Sequence, residues 1–173
     1  MYITGNALRE RIQKEEMITE VSLDQIGNIS YDLRIKGIIL PETKKDGNNE
    51  PLLQYNLAPQ ETIFVSTTET LRLPENMFAT IIPRNSCIRQ GLDIEAPVYQ
   101  PGHKTRIFIR VRNISDDVIT LRQGIGIASI MFYELNENVT PYSGAYTDEF
   151  DYKGVGDFHS VPVPGMKKIN KKN

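Results

Sequence analysis

The stretch "RIFIRVRN" at residues 106–113 constrains the chain more than any other. Successive side chains of an extended strand project to opposite faces. Ile107, Ile109 and Val111 therefore fall on one side, and Arg106, Phe108, Arg110 and Arg112 on the other. One side is apolar and asks for a core, while the other sets three guanidiniums on a single face. This part of the chain is a strand with two unlike sides, and the rest of the fold has to supply a partner for each.

The surrounding chain has the same grain. "ISYDLRIKGIIL", "TIFVSTTETLRL", "MFATIIP", "VITLRQG" and "GIASIMFYEL" are short apolar runs. They are separated by turn-forming clusters such as "PETKKDGNNEP", "LPEN", "QPGHK" and "NISDD". Short strands at this spacing read as a mainly β sandwich or barrel. Residues 4–16 are the exception: Thr4 or Asn6 can cap a helix whose sparse stripe is Leu8, Ile12 and Met17. Pro101-Gly102 has the chemistry of a type II turn leading into the arginine strand. "KKDGNNE" reads as a solvated hairpin tip, and "KKINKKN" as a solubilising end.

With 173 residues the chain fits one domain. A net charge of −2 argues against general affinity for duplex nucleic acid, so any basic site must be local. The single cysteine, Cys87, excludes an internal disulfide, and the two histidines, His103 and His159, show no metal-ligand spacing, so no protein-held metal is expected. The start lacks a basic-then-apolar leader, and no run approaches the ~18 apolar residues of a membrane span. A cytoplasmic setting without membrane contact is the expectation.

The densest polar cluster in an apolar context is "IIPRNSCIRQGL". Arg84, Asn85, Ser86 and Arg89 follow a strand-like run, and Gly91 lets the chain turn. Arginine forks match phosphate oxygens, and a serine hydroxyl with exposed backbone N–H groups completes a cradle of that kind. Arginines after a strand are also commonplace on protein surfaces, so the residues alone leave both readings open.

The order of these segments, from "ISYDLRI" through "STTETLRLPENMFATIIPRNSCIRQGL" and "APVYQPGHKTRIFIRVRNIS" to "ITLRQGIGIASIMFYEL", resembles the dCTP deaminase and dUTPase superfamily, on its deaminase side. The resemblance covers roughly residues 1–135, with a weaker echo at "PYSGAY" and "FDYKGVG". It implies a distorted, dUTPase-like β barrel with one N-terminal helix at 1–135, and a C-terminal arm at 136–173 that closes over a ligand. It further implies a homotrimer with sites between subunits, and a deoxypyrimidine triphosphate ligand whose phosphates carry Mg²⁺. Carried over residue by residue, Arg84, Asn85, Ser86 and Arg89 stand at the phosphate motif, with Asn85 where that motif has a serine. Ala96 to Gly102 match the base-reading hairpin, which makes Ala96, Val98, Tyr99 and Gln100 base-pocket candidates. Tyr142, Tyr152 and Lys153 are the lid candidates.

Two departures stand out. The turn that carries a water-orienting aspartate in the hydrolases is here Gln100-Pro101-Gly102, and the position of the deaminases' proton-shuttling glutamate falls on Arg110. Arginine stays charged and has no lone pair to offer, so it cannot act as a general base. Asp93 and Glu95, just upstream, are the weak catalytic candidates that remain. Arg106, Arg110 and Arg112, with His103 and Lys104, instead suggest an anion site adjoining the base pocket. The plainer reading has these arginines meeting acids such as Glu95, Asp116 or Asp117 of a neighbouring subunit. The leading functional expectation is a nucleotide-binding protein that sequesters or senses its ligand without standard catalysis. The alternatives are an active dCTP deaminase or dUTPase with relocated groups, and a structural protein that keeps only the trimer.

Overall fold

The computed structural model describes residues 1–14, 16–40, 51–144 and 146–152. The tips "KKDGNNE" and "KKINKKN" and the lid candidate Lys153 lie outside them. Nine strands carry the fold: β1 (Ile18–Thr19), β2 (Tyr31–Ile39), β3 (Gln54–Leu57), β4 (Thr62–Arg72), β5 (Met77–Pro83), β6 (Leu92–Glu95), β7 (Lys104–Asn113), β8 (Ile119–Arg122) and β9 (Gly126–Glu134). Seven form one antiparallel sheet in the order β5-β9-β2-β4-β7-β6, with β1 paired to β4, while β3 and β8 make a separate ribbon. The two edges of the large sheet are drawn together just past β6, where Ala79 and Tyr99 exchange a pair of 2.9 Å backbone hydrogen bonds. The result is the nearly closed, distorted barrel expected from the sequence.

The apolar runs foreseen as strands correspond to β2, β4, β5, β7, β8 and β9. Ile107, Ile109 and Val111 of β7 are fully buried, in one core with Ile63 and Val65 of β4 and Leu33 and Ile35 of β2. Helix α1 (Gly5–Gln13) is shorter than the 4–16 stretch, and Thr4 caps it by position without a side-chain bond. Its stripe nevertheless lands as expected, with Leu8, Ile12 and the following Met17 fully buried. A second helix, α2 (Asn85–Arg89), forms within the polar cluster, where the sequence suggested only a turn after a strand. Its five residues are too few to show an apolar period, and only Cys87 of the helix turns inward.

Strand β4 bulges between Ser66 and Thr70, where its register against β7 shifts. A bulge leaves ladder groups without strand partners, and buried backbone carbonyls need donors. Arg106 supplies them: its Nη1 donates to the carbonyls of Thr67 at 2.9 Å and Thr68 at 2.8 Å. Behind the bulge the fully buried Glu69 accepts from Tyr31 Oη at 2.9 Å, from Arg34 Nε at 2.7 Å and from the Arg34 backbone at 3.0 Å. That sharing is what makes a carboxylate tolerable in the interior.

After β9 the chain returns to the start of β7. The Tyr142 N–H donates to the Pro101 carbonyl at 2.9 Å, and the Asp148 N–H to that of Lys104 at 2.9 Å. Thr105 and Glu149 form a parallel bridge, in which the Arg106 N–H and the Thr105 hydroxyl both donate to the Glu149 carbonyl. Among the described residues no helix is long and apolar enough to cross a membrane.

Candidate functional site

The returning segment roofs a cavity of about 370 Å³ at the start of β7, within the usual span of small-ligand pockets. One wall is the connection from β6 to β7, with Val98, Tyr99, Gln100 and His103. The floor is the outer face of the sheet, with Phe64 of β4 and Thr105, Arg106 and Phe108 of β7. The arm supplies Tyr142, Tyr146, Glu149 and Tyr152. The even-numbered face of β7 thus becomes cavity floor at its beginning, with Arg106 and Phe108 side by side.

Ring packing shapes the space. Tyr152 lies over Phe64 and Phe108, with centroids 5.3 and 5.1 Å apart, and His103 lies 4.4 Å from Tyr142. The turn into β7 is closed by the His103 N–H donating to the Gln100 carbonyl at 3.2 Å, with Gly102 at φ +75°. This is the left-handed position a type II turn requires, and a Cβ there would lie 2.6 Å from Pro141. His103 Nε2 sits 3.1 Å from the Tyr146 carbonyl, which can only accept, so the imidazole proton belongs on Nε2. Burial lowers the imidazole pKa below its ordinary value and keeps the ring neutral. Burial also raises the Tyr99 phenol well above its ordinary range and pushes Tyr152 up to about 12. Both therefore stay protonated at neutral pH.

Of the base-pocket candidates, Val98, Tyr99, Gln100 and Arg106 line this cavity together, and the lid candidates Tyr142 and Tyr152 join them. Ala96 is half-buried against the core instead. The three arginines do not converge. Arg106 is nearly buried, with its guanidinium on the bulge carbonyls, its Nε donating to the Phe150 carbonyl at 3.3 Å and its Nη2 3.5 Å from Glu20. Arg110 pairs with Glu95, directly across from it on β6. Arg112 donates to Gln60 Oε1 at 2.7 Å. The weak catalytic candidates go with them: Glu95 is engaged by Arg110, Asp93 lies exposed opposite Arg112, and neither lines the cavity.

The phosphate candidates gather elsewhere, where β5 runs into α2. Arg84 stands at the N-cap of α2, its Nε 3.1 Å from Asp32 Oδ2. Ser129 Oγ donates to the other Asp32 oxygen at 2.6 Å. The guanidinium lies along β9 so closely that a Cβ on Gly126 would fall 2.1 Å from Nη1. Asn85, Ser86 and Arg89 are exposed, and Arg89 Nε donates to Asn85 Oδ1 at 3.4 Å. Cys87 is buried, and that burial raises its thiol pKa. Ala79, bridged to Tyr99 of the cavity, lies in β5, and Arg84 follows directly on the end of that strand with an extended backbone, so the five-residue step between them spans roughly 16 Å.

Several of these residues escaped the sequence reading. Asp32 lay in a quoted segment, but its pairing with Arg84 spans strands distant in sequence. Phe64 and Phe108 had a usable signal, being large apolar residues on the outer faces of their strands. Tyr146 and Glu149 had none, because the arm follows no period. Among the described residues no group of three or more His, Cys, Asp or Glu side chains is placed to hold a metal ion.

A model of the dCTP deaminase-like family matches residues 2–135. The chain belongs to that family. It is 28% identical over 171 residues to a protein of Dictyoglomus turgidum named "dCTP deaminase, dUMP-forming", covering 91% of this chain and 82% of that one. It is 28% identical over 173 residues to a protein of the same name from Aquifex aeolicus, covering 90% and 92%. The solved structure of 2'-deoxycytidine 5'-triphosphate deaminase from Agrobacterium tumefaciens superposes with a TM-score of 0.62 at 22% identity, over 76% of this chain. The chain spans 46% of the Agrobacterium protein's length, and the likeness establishes the shared dUTPase-like fold. Within this family frame the cavity is a composite. Its wall and floor come from the matched segment, whereas Tyr142, Tyr146, Glu149 and Tyr152 come from beyond residue 135.

Proposed function

We propose that this chain binds a phosphorylated pyrimidine deoxynucleotide in a homotrimer, and sequesters or senses it without the family's standard catalysis. The base enters the aromatic cavity, and the phosphates meet Arg84, Asn85, Ser86 and Arg89 of a neighbouring copy. Mg²⁺ arrives on the phosphates and needs no protein ligands. Within one copy the cavity and α2 lie toward opposite ends of β5, which suits sites completed between copies. Ile82 at the end of β5, Ile88 of α2 and Val98 at the cavity are exposed in the single chain, and a subunit interface would cover them.

One observation carries the sequestration reading. At the turn where resembling hydrolases hold a carboxylate the cavity presents Gln100, and at the strand position of the deaminases' glutamate stands Arg110, paired with Glu95. An amide can hold a water but cannot take its proton, and a guanidinium, which has donors but no lone pair, cannot take it either. Calorimetric titration with dCTP and dUTP in Mg²⁺ should show saturable binding. Chromatography of the same mixtures should show no accumulation of dUTP, dUMP or ammonia. Turnover in the ordinary enzymatic range, on the order of 1 s⁻¹ or faster, overturns this reading in favour of an active deaminase or dUTPase with relocated groups. The observation that favours that second reading is a carboxylate, Glu149, in the cavity wall.

A further inference from the structure

The arm is fastened beside the cavity in two places of different chemistry. Its later part is held to β7, where the Asp148 N–H donates to the Lys104 carbonyl and Arg106 Nε to that of Phe150. A guanidinium keeps its charge across the range of pH a folded protein meets, so this fastening does not titrate. The earlier part is held to the turn at Gln100–His103. There the Tyr142 N–H donates to the Pro101 carbonyl, Pro141 lies close against Gly102, and the His103 ring packs on those of Tyr142 and Tyr99 with centroids 4.4 and 5.4 Å away. His103 is 7% exposed, and its ring is bonded through Nε2 to the Tyr146 carbonyl, while Nδ1 makes no hydrogen bond among the described residues. Protonation adds a second N–H donor and a charge at Nδ1. With the arm docked both are held away from water, and with the arm lifted both are solvated.

We infer that His103 is a pH-sensitive catch, whose neutral ring holds the arm over the cavity and whose protonation releases it. The inference concerns the roof alone and stands whether or not the cavity takes a nucleotide. The titratable and charged groups around the ring are Tyr142, Tyr146, Asp148 and Glu149 of the arm, Tyr99 of the wall, and Lys104 and Arg106 of β7. The connection from β4 to β5, which meets the His103 backbone through Leu73, adds Arg72 and Glu75, both exposed. Asp148 and Glu149 favour the cation, but burial outweighs them and lowers the pKa of the docked ring. The docked arm thus binds fewer protons than the lifted one. Docking is strongest above the ordinary imidazole value of about 6.5 and weakens as pH falls through it.

Hydrogen exchange of the full chain between about pH 7.5 and 5.5, each amide's rate divided by its intrinsic rate at that pH, reads the docking. Protection of the Tyr142 and Asp148 amides should fall by up to about tenfold, while that of Ile109 in the core stays constant. His103→Gln keeps an N–H donor near the place of Nε2 but does not titrate, so its fall should shrink to less than about twofold. Constant protection in the wild type, or an equal fall in the variant, which would assign the effect to other groups, overturns the inference. Nitrogen NMR of the wild-type imidazoles, assigned with His159→Gln, decides the matter where the His103 variant does not fold. A His103 ring protonated on Nε2 and titrating below about 6.5 is expected, and a midpoint at or above that value overturns the proposal.

Discussion

The two ends of the arginine face of β7 share one alternating sequence and have opposite fates. At the beginning, Arg106 is 13% exposed and its guanidinium is spent on backbone carbonyls of the β4 bulge and the returning arm. Toward the end, the Arg110 side chain is 49% exposed and pairs with Glu95, itself 55% exposed. What differs is the neighbour on that face. The beginning is covered by residues 148–150 and by a bulge that leaves carbonyls in need of donors, whereas at the end the regular β6 ladder satisfies the backbone and leaves the side chains to solvent. A period of two assigns a residue to a face; the density of what packs on that face decides whether its charge is structural or ornamental.

The opposite side of the strand sets the scale. Ile109, in the middle of β7, is fully buried, and Ile109→Ala removes its methyl and methylene groups from a core that cannot fully collapse around the loss. A destabilisation of about 2–5 kcal/mol is expected in urea or thermal unfolding. A loss under 1 kcal/mol would mean that the two sides of β7 are less distinct than their burial indicates.

The legibility of the chain follows the same division. The strands that alternate or form apolar runs, β2, β4, β5, β7, β8 and β9, could be read because burial imposes a period on residue choice. Strand β3, of which only Leu57 is buried, and the five-residue α2, of which only Cys87 is, carry too few inward residues to show a period. In the site, the turn at Gln100–Gly102 was legible because proline and glycine fix its backbone. Glu149 was not, because its place depends on a parallel bridge to Thr105, a residue forty-four positions away. The arginine face was readable as a face, but its partners were not. Arg106 answers a bulge, and a bulge arises from register between two strands that neither sequence discloses alone.

Arg106→Met comes next in size and tests the buried end directly. Methionine keeps much of the apolar stem but removes the donors to the Thr67, Thr68 and Phe150 carbonyls. Buried acceptors left without partners cost about 1–3 kcal/mol, so a loss of that order in unfolding free energy is expected. Hydrogen exchange should accelerate in the segment around 148–150, because the Arg106 side chain is one of its ties. Retained stability together with unchanged exchange would show that the carbonyls find water, and that the guanidinium is not their essential donor.

The smallest expected effect is at the exposed end, and it sharpens the comparison most. Arg110 and Glu95 are direct cross-strand neighbours, so their attraction is real. Both side chains remain about half in water, however, where solvent screens the pair and ordering two long side chains consumes part of the gain. Arg110→Ala should therefore change stability by no more than about 1 kcal/mol, and the coupling in a double-mutant cycle with Glu95→Ala should stay within about 0–1 kcal/mol. Because Arg110 does not line the cavity, dCTP affinity should stay within a few-fold of the wild type. A loss of nucleotide binding with stability intact would place this guanidinium on the ligand in the assembled protein, so that both ends of the arginine face serve one site. A stability loss well above 1 kcal/mol would instead make the Glu95 pair a structural contact of the same kind as the one at Arg106, and the contrast between the two ends would disappear.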